Sequence, residues 1–135
     1  MRELPIMEPL PVLVVDDQAP FRMAAKAVVR RMEGFDVVGE ATDGEEAVAM
    51  AAELHPALVL MDINMPGMNG VEATRRIVAA EPDTVVILCS TYTPQDLPPD
   101  ASSSGALAYV NKEEFGPSEL TRIWAERETI EFLPT

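Results

Sequence analysis

Apolar residues fall along this chain in two alternating rhythms. Short runs rich in β-branched residues occupy Val12–Val15, Phe35–Gly39, Ala57–Met61, Thr84–Cys89 and Ala106–Val110. Three segments, Val12-Leu13-Val14-Val15, Leu58-Val59-Leu60-Met61 and Val85-Val86-Ile87-Leu88, are apolar at every position. Successive side chains of a strand point to opposite faces. An uninterrupted apolar strand is therefore buried on both, as in a parallel sheet sandwiched between helices. The stretches between carry helical spacing: Ala24, Ala27, Val28, Arg31 and Met32 lie at intervals of three and four, as do Ala47, Met50, Ala51 and Leu54.

Start and stop signals agree with this phasing. Asp43-Gly44-Glu45-Glu46 puts a carboxylate at an N-cap with a glutamate three residues on, and Asn69-Gly70-Val71-Glu72 repeats the arrangement. His55-Pro56 and Glu81-Pro82 close the second and third helices, because proline disfavours helix in the residue before it. Between Cys89 and Gly105 stand Pro94, Pro98, Pro99 and Ser102-Ser103-Ser104. An interior proline costs a helix about 3 kcal/mol and serine prefers caps and turns, so this fourth crossover is expected to be a loop with at most one or two helical turns. The predicted fold is a doubly wound α/β domain with five parallel strands, right-handed crossovers, helices on both faces and a fourth helix short or missing.

Composition narrows the possibilities. A chain of 135 residues is one domain's worth. Its 47% hydrophobic and 24% charged residues are an ordinary globular balance. Cys89 is the only cysteine, which rules out an intrachain disulfide and makes a reducing cytoplasm the default location. His55 is the only histidine, which removes every site built on two imidazoles. Ten basic against 23 acidic residues give a net charge of −13, and the pairs Arg30–Arg31 and Arg75–Arg76 sit apart on predicted helix faces. Such a surface repels nucleic acid. No apolar run approaches the ~20 residues that span a bilayer. Met1–Pro11 contains Pro5, Pro9 and Pro11 and no apolar signal core. The expected plan is a leader over residues 1–10, a folded domain over 11–128, and a tail or the start of a linker over 129–135.

In an open parallel sheet, ligands bind beyond the carboxyl ends of the strands. The residues there are Asp16-Asp17 after the first strand, Asp62 after the third, Ser90-Thr91 after the fourth and Lys112 after the fifth. Two like charges ~4 Å apart repel by about 4 kcal/mol at an effective dielectric near 20. Three clustered carboxylates therefore call for a cation, and oxygen-only ligands suit Mg2+. A carboxylate left free to react can attack a phosphoryl group in line and form an acyl phosphate. On this reading Asp62 is the nucleophile and Asp16 and Asp17 hold the metal. Lys112 is the counter-ion to one phosphoryl oxygen, and the Ser90 hydroxyl bonds another.

These segments resemble the receiver domain of two-component response regulators. The resemblance runs from about Pro11 to about Ala125. It is carried by Val12–Asp17, by Leu58-Val59-Leu60-Met61-Asp62-Ile63-Asn64-Met65-Pro66-Gly67-Met68-Asn69-Gly70, by Ile87–Tyr92 and by Gly105–Lys112. The spacings of 28 from Asp62 to Ser90 and 22 from Ser90 to Lys112 match the family. The resemblance implies a flavodoxin-like sheet of strand order 2-1-3-4-5. It also implies a phosphoacceptor at Asp62, fed by a sensor histidine kinase or phosphotransfer protein. Mg2+ would be held by Asp17, Asp62, the Asn64 backbone carbonyl and, through water, Asp16. Ser90 takes the switch-hydroxyl position and Tyr109 that of the aromatic whose rotamer accompanies activation. The only chemistry implied is phosphorylation and self-dephosphorylation at Asp62. The phosphorylated surface would engage a downstream protein target or output domain, and a homodimer is a possible form.

Each residue also has a plainer reading. Asp17 fits the N-cap of the first helix, with Pro20 in its first turn. Met65-Pro66-Gly67 is a tight turn, and Tyr109 is a half-buried sheet aromatic. His55 is expected at the surface on the edge opposite the acidic cluster, Cys89 as an inert buried thiol, and Trp124 as a packing residue of the last helix. The Pro94–Ser104 segment departs from the family, which has a full fourth helix there, and puts the usual dimer surface in doubt. Thr91, where many members have Ala, is expected to narrow access to Asp62. Rival readings are a magnesium-dependent aspartyl phosphatase, a flavodoxin-like nucleotide binder and a degenerate receiver that binds partners without phosphorylation. Asn64 stands where the phosphatase needs its second aspartate, no phosphate-binding loop follows the first strand, and the intact acidic set opposes degeneracy.

Overall fold

The computed structural model describes residues 8–129 and 133–134. Strands β1 (Leu10–Val15), β2 (Phe35–Ala41), β3 (Leu58–Asp62), β4 (Val85–Ser90) and β5 (Ala108–Asn111) form a parallel sheet in the order β2-β1-β3-β4-β5. Helices α1 (Ala19–Arg30), α2 (Gly44–Leu54), α3 (Gly70–Ala80) and α4 (Pro117–Ala125) cover it. The apolar runs divide as their period requires. Leu13, Val15, Val59, Met61, Val86 and Leu88 meet Ala47, Ala51, Ala73 and Ile77 of α2 and α3. Val12, Val14, Leu58, Leu60, Ile87 and Cys89 meet Ala25 and Val29 of α1 and Leu120 and Ile123 of α4. Two cores, one on each face, explain why these strands read as continuous rather than alternating.

The fourth crossover has no α-helix. Two short 3-10 turns, Pro94–Asp96 and Ala101–Ser103, take its place, and Leu97, Ala101 and Ala106 fill the core beside α3. The buried Ser104 hydroxyl donates to the Ala101 carbonyl oxygen at 2.6 Å and accepts the Ala106 N–H at 3.2 Å. Gly105 turns the chain into β5 with φ +96, and a Cβ there would lie 2.9 Å from Val78.

Several local expectations are corrected. Asp17 does not cap α1: the N-cap is Gln18, with no side-chain cap bond, and Asp17 is exposed. Of the predicted inward stripe of α1, Met32 is buried and Val28 packs against the core, but Ala24, Ala27 and Arg31 are exposed and Ala25 and Val29 take the buried places. Asp43 and Asn69 do cap α2 and α3 by accepting from the N–H of Glu46 and Glu72. The Glu46 carboxylate takes the N–H of Thr42, one residue before the cap, and Glu72 turns away to Arg75 and Arg76. A two-residue parallel strand, β6 (Leu133–Pro134), extends the sheet beyond β5 from within the expected tail. The free edge of β5 offers unpaired backbone groups for such pairing. Residues 1–7 of the expected leader lie outside the described residues. Among the described residues, no helix is long and apolar enough to cross a membrane. His55 is exposed, ends α2 in the left-handed region at φ 48, and pairs with Glu81 at 2.7 Å.

Candidate functional site: an acidic pocket at the carboxyl edge of the sheet

Parallel pairing brings the strand ends level. Asp62 lies opposite Cys89, and Ser90 opposite Asn111. Asp16, just past β1, donates its N–H to the Ala41 carbonyl oxygen at 3.1 Å. The result is a cluster in which Asp16, Asp17 and Asp62 each offer a carboxylate oxygen within 4.8 Å of the others. Asp16 and Asp62 are buried and Asp17 is exposed at the rim.

Lys112 closes the pocket from β5. Its ammonium lies 2.7 Å from Asp16 Oδ2, 3.6 Å from Asp62 Oδ1 and 4.4 Å from the centre of the Phe21 ring. It is thus paired with the carboxylates it was expected to share the pocket with. Burial depresses the Lys112 proton affinity, but contact with Asp16 and the charge of Asp62 outweigh this and leave it raised. Asp62 is pushed up to about 6, first by burial and then by the charge of Asp16, with Lys112 opposing. Asp16 uses its Oδ1 to accept the Gln18 N–H at 2.8 Å. Its Oδ2 is buried and meets the Lys112 ammonium at 2.7 Å. Three clustered carboxyl groups that share one ammonium fit a divalent cation with oxygen ligands.

The corner after β3 is built for close approach. Gly70 donates its N–H to the Ile63 carbonyl oxygen at 2.8 Å, and a Cβ on Gly70 would stand 1.8 Å from the carbonyl oxygen of Asp62. Only glycine lets α3 begin this near the strand end. Ser90 is buried at the end of β4, and Asn64 is exposed past Asp62. Tyr109 is fully buried in the core beneath α3, and its hydroxyl donates to the Tyr92 carbonyl oxygen at 2.6 Å.

Three residues near the pocket escaped the reading of the chain. Tyr92 donates its hydroxyl to Asn64 Oδ1 at 3.0 Å, spanning from the fourth crossover to the loop after Asp62. Asn111 donates to the same Tyr92 carbonyl oxygen at 2.9 Å. Arg22 donates to the Asp16 carbonyl oxygen at 2.8 Å. None has a spacing signal, because each bond joins a side chain to a backbone or amide group that no residue pattern marks.

The response regulator receiver domain family matches residues 12–124. The chain belongs to that family. The receiver is 41% identical over 109 residues to the chemotaxis protein CheY of Thermotoga maritima, covering 81% of this chain and 89% of that protein. It is 39% identical over 101 residues to the response regulator GacA of Pseudomonas aeruginosa, covering 75% of this chain but 47% of GacA. The chain thus spans nearly all of one relative and about half of another. Among solved structures, the CheX-CheY-BeF3-Mg complex from Borrelia burgdorferi superposes with a TM-score of 0.78 at 26% identity, covering 88% of this chain and 89% of the matched one.

Proposed function

We propose that this receiver accepts a phosphoryl group on Asp62 from a sensor histidine kinase or phosphotransfer protein, in the cytoplasm and with Mg2+, and that the new charge resets its partner-binding surface. The observation that carries the reading is one buried carboxylate of raised proton affinity, set within reach of two others and an ammonium. An Asp62 carboxylate oxygen attacks phosphorus in line. The bond from phosphorus to the donor nitrogen breaks, its electron pair leaves on the imidazole, and Asp62 becomes an acyl phosphate. Asp17, Asp62, the Asn64 backbone carbonyl and, through water, Asp16 are the proposed holders of Mg2+, which when bound supplies positive charge against the clustered carboxylates and phosphoryl oxygens. The similar complex from Borrelia burgdorferi contains BeF3 and Mg, which supports Mg2+ as the ion.

Lys112, now on Asp16 and Asp62, turns to a phosphoryl oxygen, and the Ser90 hydroxyl bonds another. The Ser90 hydroxyl moves onto the phosphoryl oxygen, and Tyr109, already buried with its hydroxyl on the Tyr92 carbonyl oxygen, stands on the inward side of its switch. Moving such a switch from 1:99 to 99:1 takes about 5.5 kcal/mol of differential stabilisation. The reset surface engages a downstream protein or an output domain.

Incubation with a small acyl phosphate or phosphoramidate and Mg2+, followed by intact mass, tests the reading. One added phosphoryl group that is absent in Asp62→Asn and absent in EDTA is expected. A mass unchanged by the donor, or a gain that survives Asp62→Asn, overturns it.

A further inference from the structure

The geometry points to Arg22, itself held by Glu40, as a positioning residue of the acidic pocket: it fixes the backbone of Asp16 and with it the aim of the Asp16 carboxylate. The inference rests on the reading of that pocket as a Mg2+ site.

Asp16 is restrained at three points. Its N–H reaches the Ala41 carbonyl oxygen of β2, its Oδ1 accepts the Gln18 N–H, and its carbonyl oxygen accepts Arg22 Nη1 at 2.8 Å. The first two tie Asp16 to the sheet and to the start of α1. That start is weakly held, because Gln18 contributes no side-chain cap. Arg22, one turn into α1, ties the helix back to the residue that ends β1. With Oδ1 engaged and the backbone fixed, the remaining oxygen, Oδ2, has one direction left, into the pocket.

Arg22 is held in turn. Its Nε lies 3.2 Å from Glu40 Oε1, and Lys26 Nζ lies 2.9 Å from Glu40 Oε2. Glu40 faces α1 because of an irregularity in β2. The register with β1 passes from Val12↔Val37 to Leu13↔Gly39, which leaves Val38 as an extra residue. One extra residue reverses which side chains face which side of a strand. Without it Glu40 would face α2. Arg22 is mostly buried, at 18% side-chain exposure, and its bond to Asp16 is the firm link, while Glu40 is exposed and its pairs with Arg22 and Lys26 are the looser support.

A plain electrostatic role predicts the opposite sign. A cation near three carboxylates competes with a divalent ion, so deleting its charge would tighten Mg2+ binding. A positioning role predicts weaker binding, since partners that orient a metal ligand commonly change affinity by about 10- to 100-fold.

Calorimetric titration of the full chain with Mg2+ alone decides between them, for wild type, Arg22→Gln, Arg22→Lys, Glu40→Gln and, as a control, Asp17→Asn. Arg22→Gln is expected to weaken binding about 10-fold. Glu40→Gln should weaken it less, and Arg22→Lys should recover part of the loss, because an ammonium still donates to the Asp16 carbonyl. Thermal unfolding in EDTA checks that each variant folds. Unchanged or tighter binding in Arg22→Gln overturns the inference. If that variant does not fold, unchanged affinity in Glu40→Gln does so. Wild type that binds no Mg2+, or binds it no better than Asp17→Asn, instead refutes the reading of the pocket.

Discussion

The third and fourth crossovers leave neighbouring strand ends and return to the same face of the sheet, yet they are built from different materials. The third is a backbone construction. Asn69 caps α3, the Gly70 N–H closes on the Ile63 carbonyl, and glycine lets the helix start press against Asp62. The fourth has short backbone turns that side chains fasten. Tyr109 and Asn111 converge on the Tyr92 carbonyl, Ser104 bonds within its own turn, and Arg75 reaches Asp100 at 3.5 Å. Backbone contacts that tolerate no Cβ leave no alternative geometry, whereas each side-chain bond contributes only about 1 kcal/mol net. Rigidity is thus concentrated where the Asp62 carboxylate is held, and the separable bonds lie in the segment next to Ser90.

The largest expected effect breaks the rigid side. Gly70→Ala drives a methyl group into the Asp62 carbonyl, and should lower unfolding free energy in urea by about 3 kcal/mol or more. A loss within about 0.5 kcal/mol would mean that the corner relaxes as easily as an ordinary surface position.

Next comes the pH response of the metal-free protein. Asp62 holds its proton up to about 6 when folded, against an ordinary carboxylate value when unfolded. Between those values the folded state binds more protons, so stability is lost as pH rises through about 4 to 6 and stays lost above. At about 1.4 kcal/mol per pH unit, the loss is about 2 kcal/mol after allowance for solvent screening. Asp62→Asn should remove that pH dependence and be the more stable protein at pH 7 in EDTA. Urea unfolding across pH that gives parallel curves for the two proteins would contradict it.

On the fourth crossover, Gly105→Ala forces a non-glycine residue to φ +96 against Val78, and should cost about 1–2 kcal/mol. The loss should come without the distortion of the Asp62 corner that Gly70→Ala brings, which amide NMR shifts of residues 62–64 can read.

The sheet was legible because its signals are local. Runs such as Val85-Val86-Ile87-Leu88 report burial on both faces, and the cap residues Asp43 and Asn69 mark helix starts by their own chemistry. The proline and serine content of 94–104 likewise predicted the lost helix, since it acts through backbone N–H groups and local turns. Asp16, Asp17, Asp62 and Lys112 could be grouped because parallel pairing makes strand ends converge. The Asp17 cap failed because the helix starts one residue later, at Ala19 after the N-cap Gln18, and Pro20 in its first turn has no N–H to offer a capping carboxylate. The register shift at Val38, and with it the facing of Glu40, was not legible. A bulge in an edge strand depends on how β1 and β2 meet, and neither sequence marks it with glycine at the extra position.

The smallest effect probes how the fourth crossover is shared between its fasteners. The Tyr92 carbonyl oxygen has two lone pairs and two donors, the Tyr109 hydroxyl at 2.6 Å and Asn111 Nδ2 at 2.9 Å. Tyr109→Phe should cost about 1 kcal/mol, because Asn111 still satisfies the carbonyl. Asn111→Ala should cost somewhat more, since its Oδ1 also accepts the Glu113 N–H beside Lys112. In the double variant the carbonyl loses both donors, so the combined loss should exceed the sum by about 0.5–1 kcal/mol. Urea unfolding of the four proteins measures that excess. Simple additivity would mean that the two donors do not substitute for each other, and that the crossover next to Ser90 is held from elsewhere.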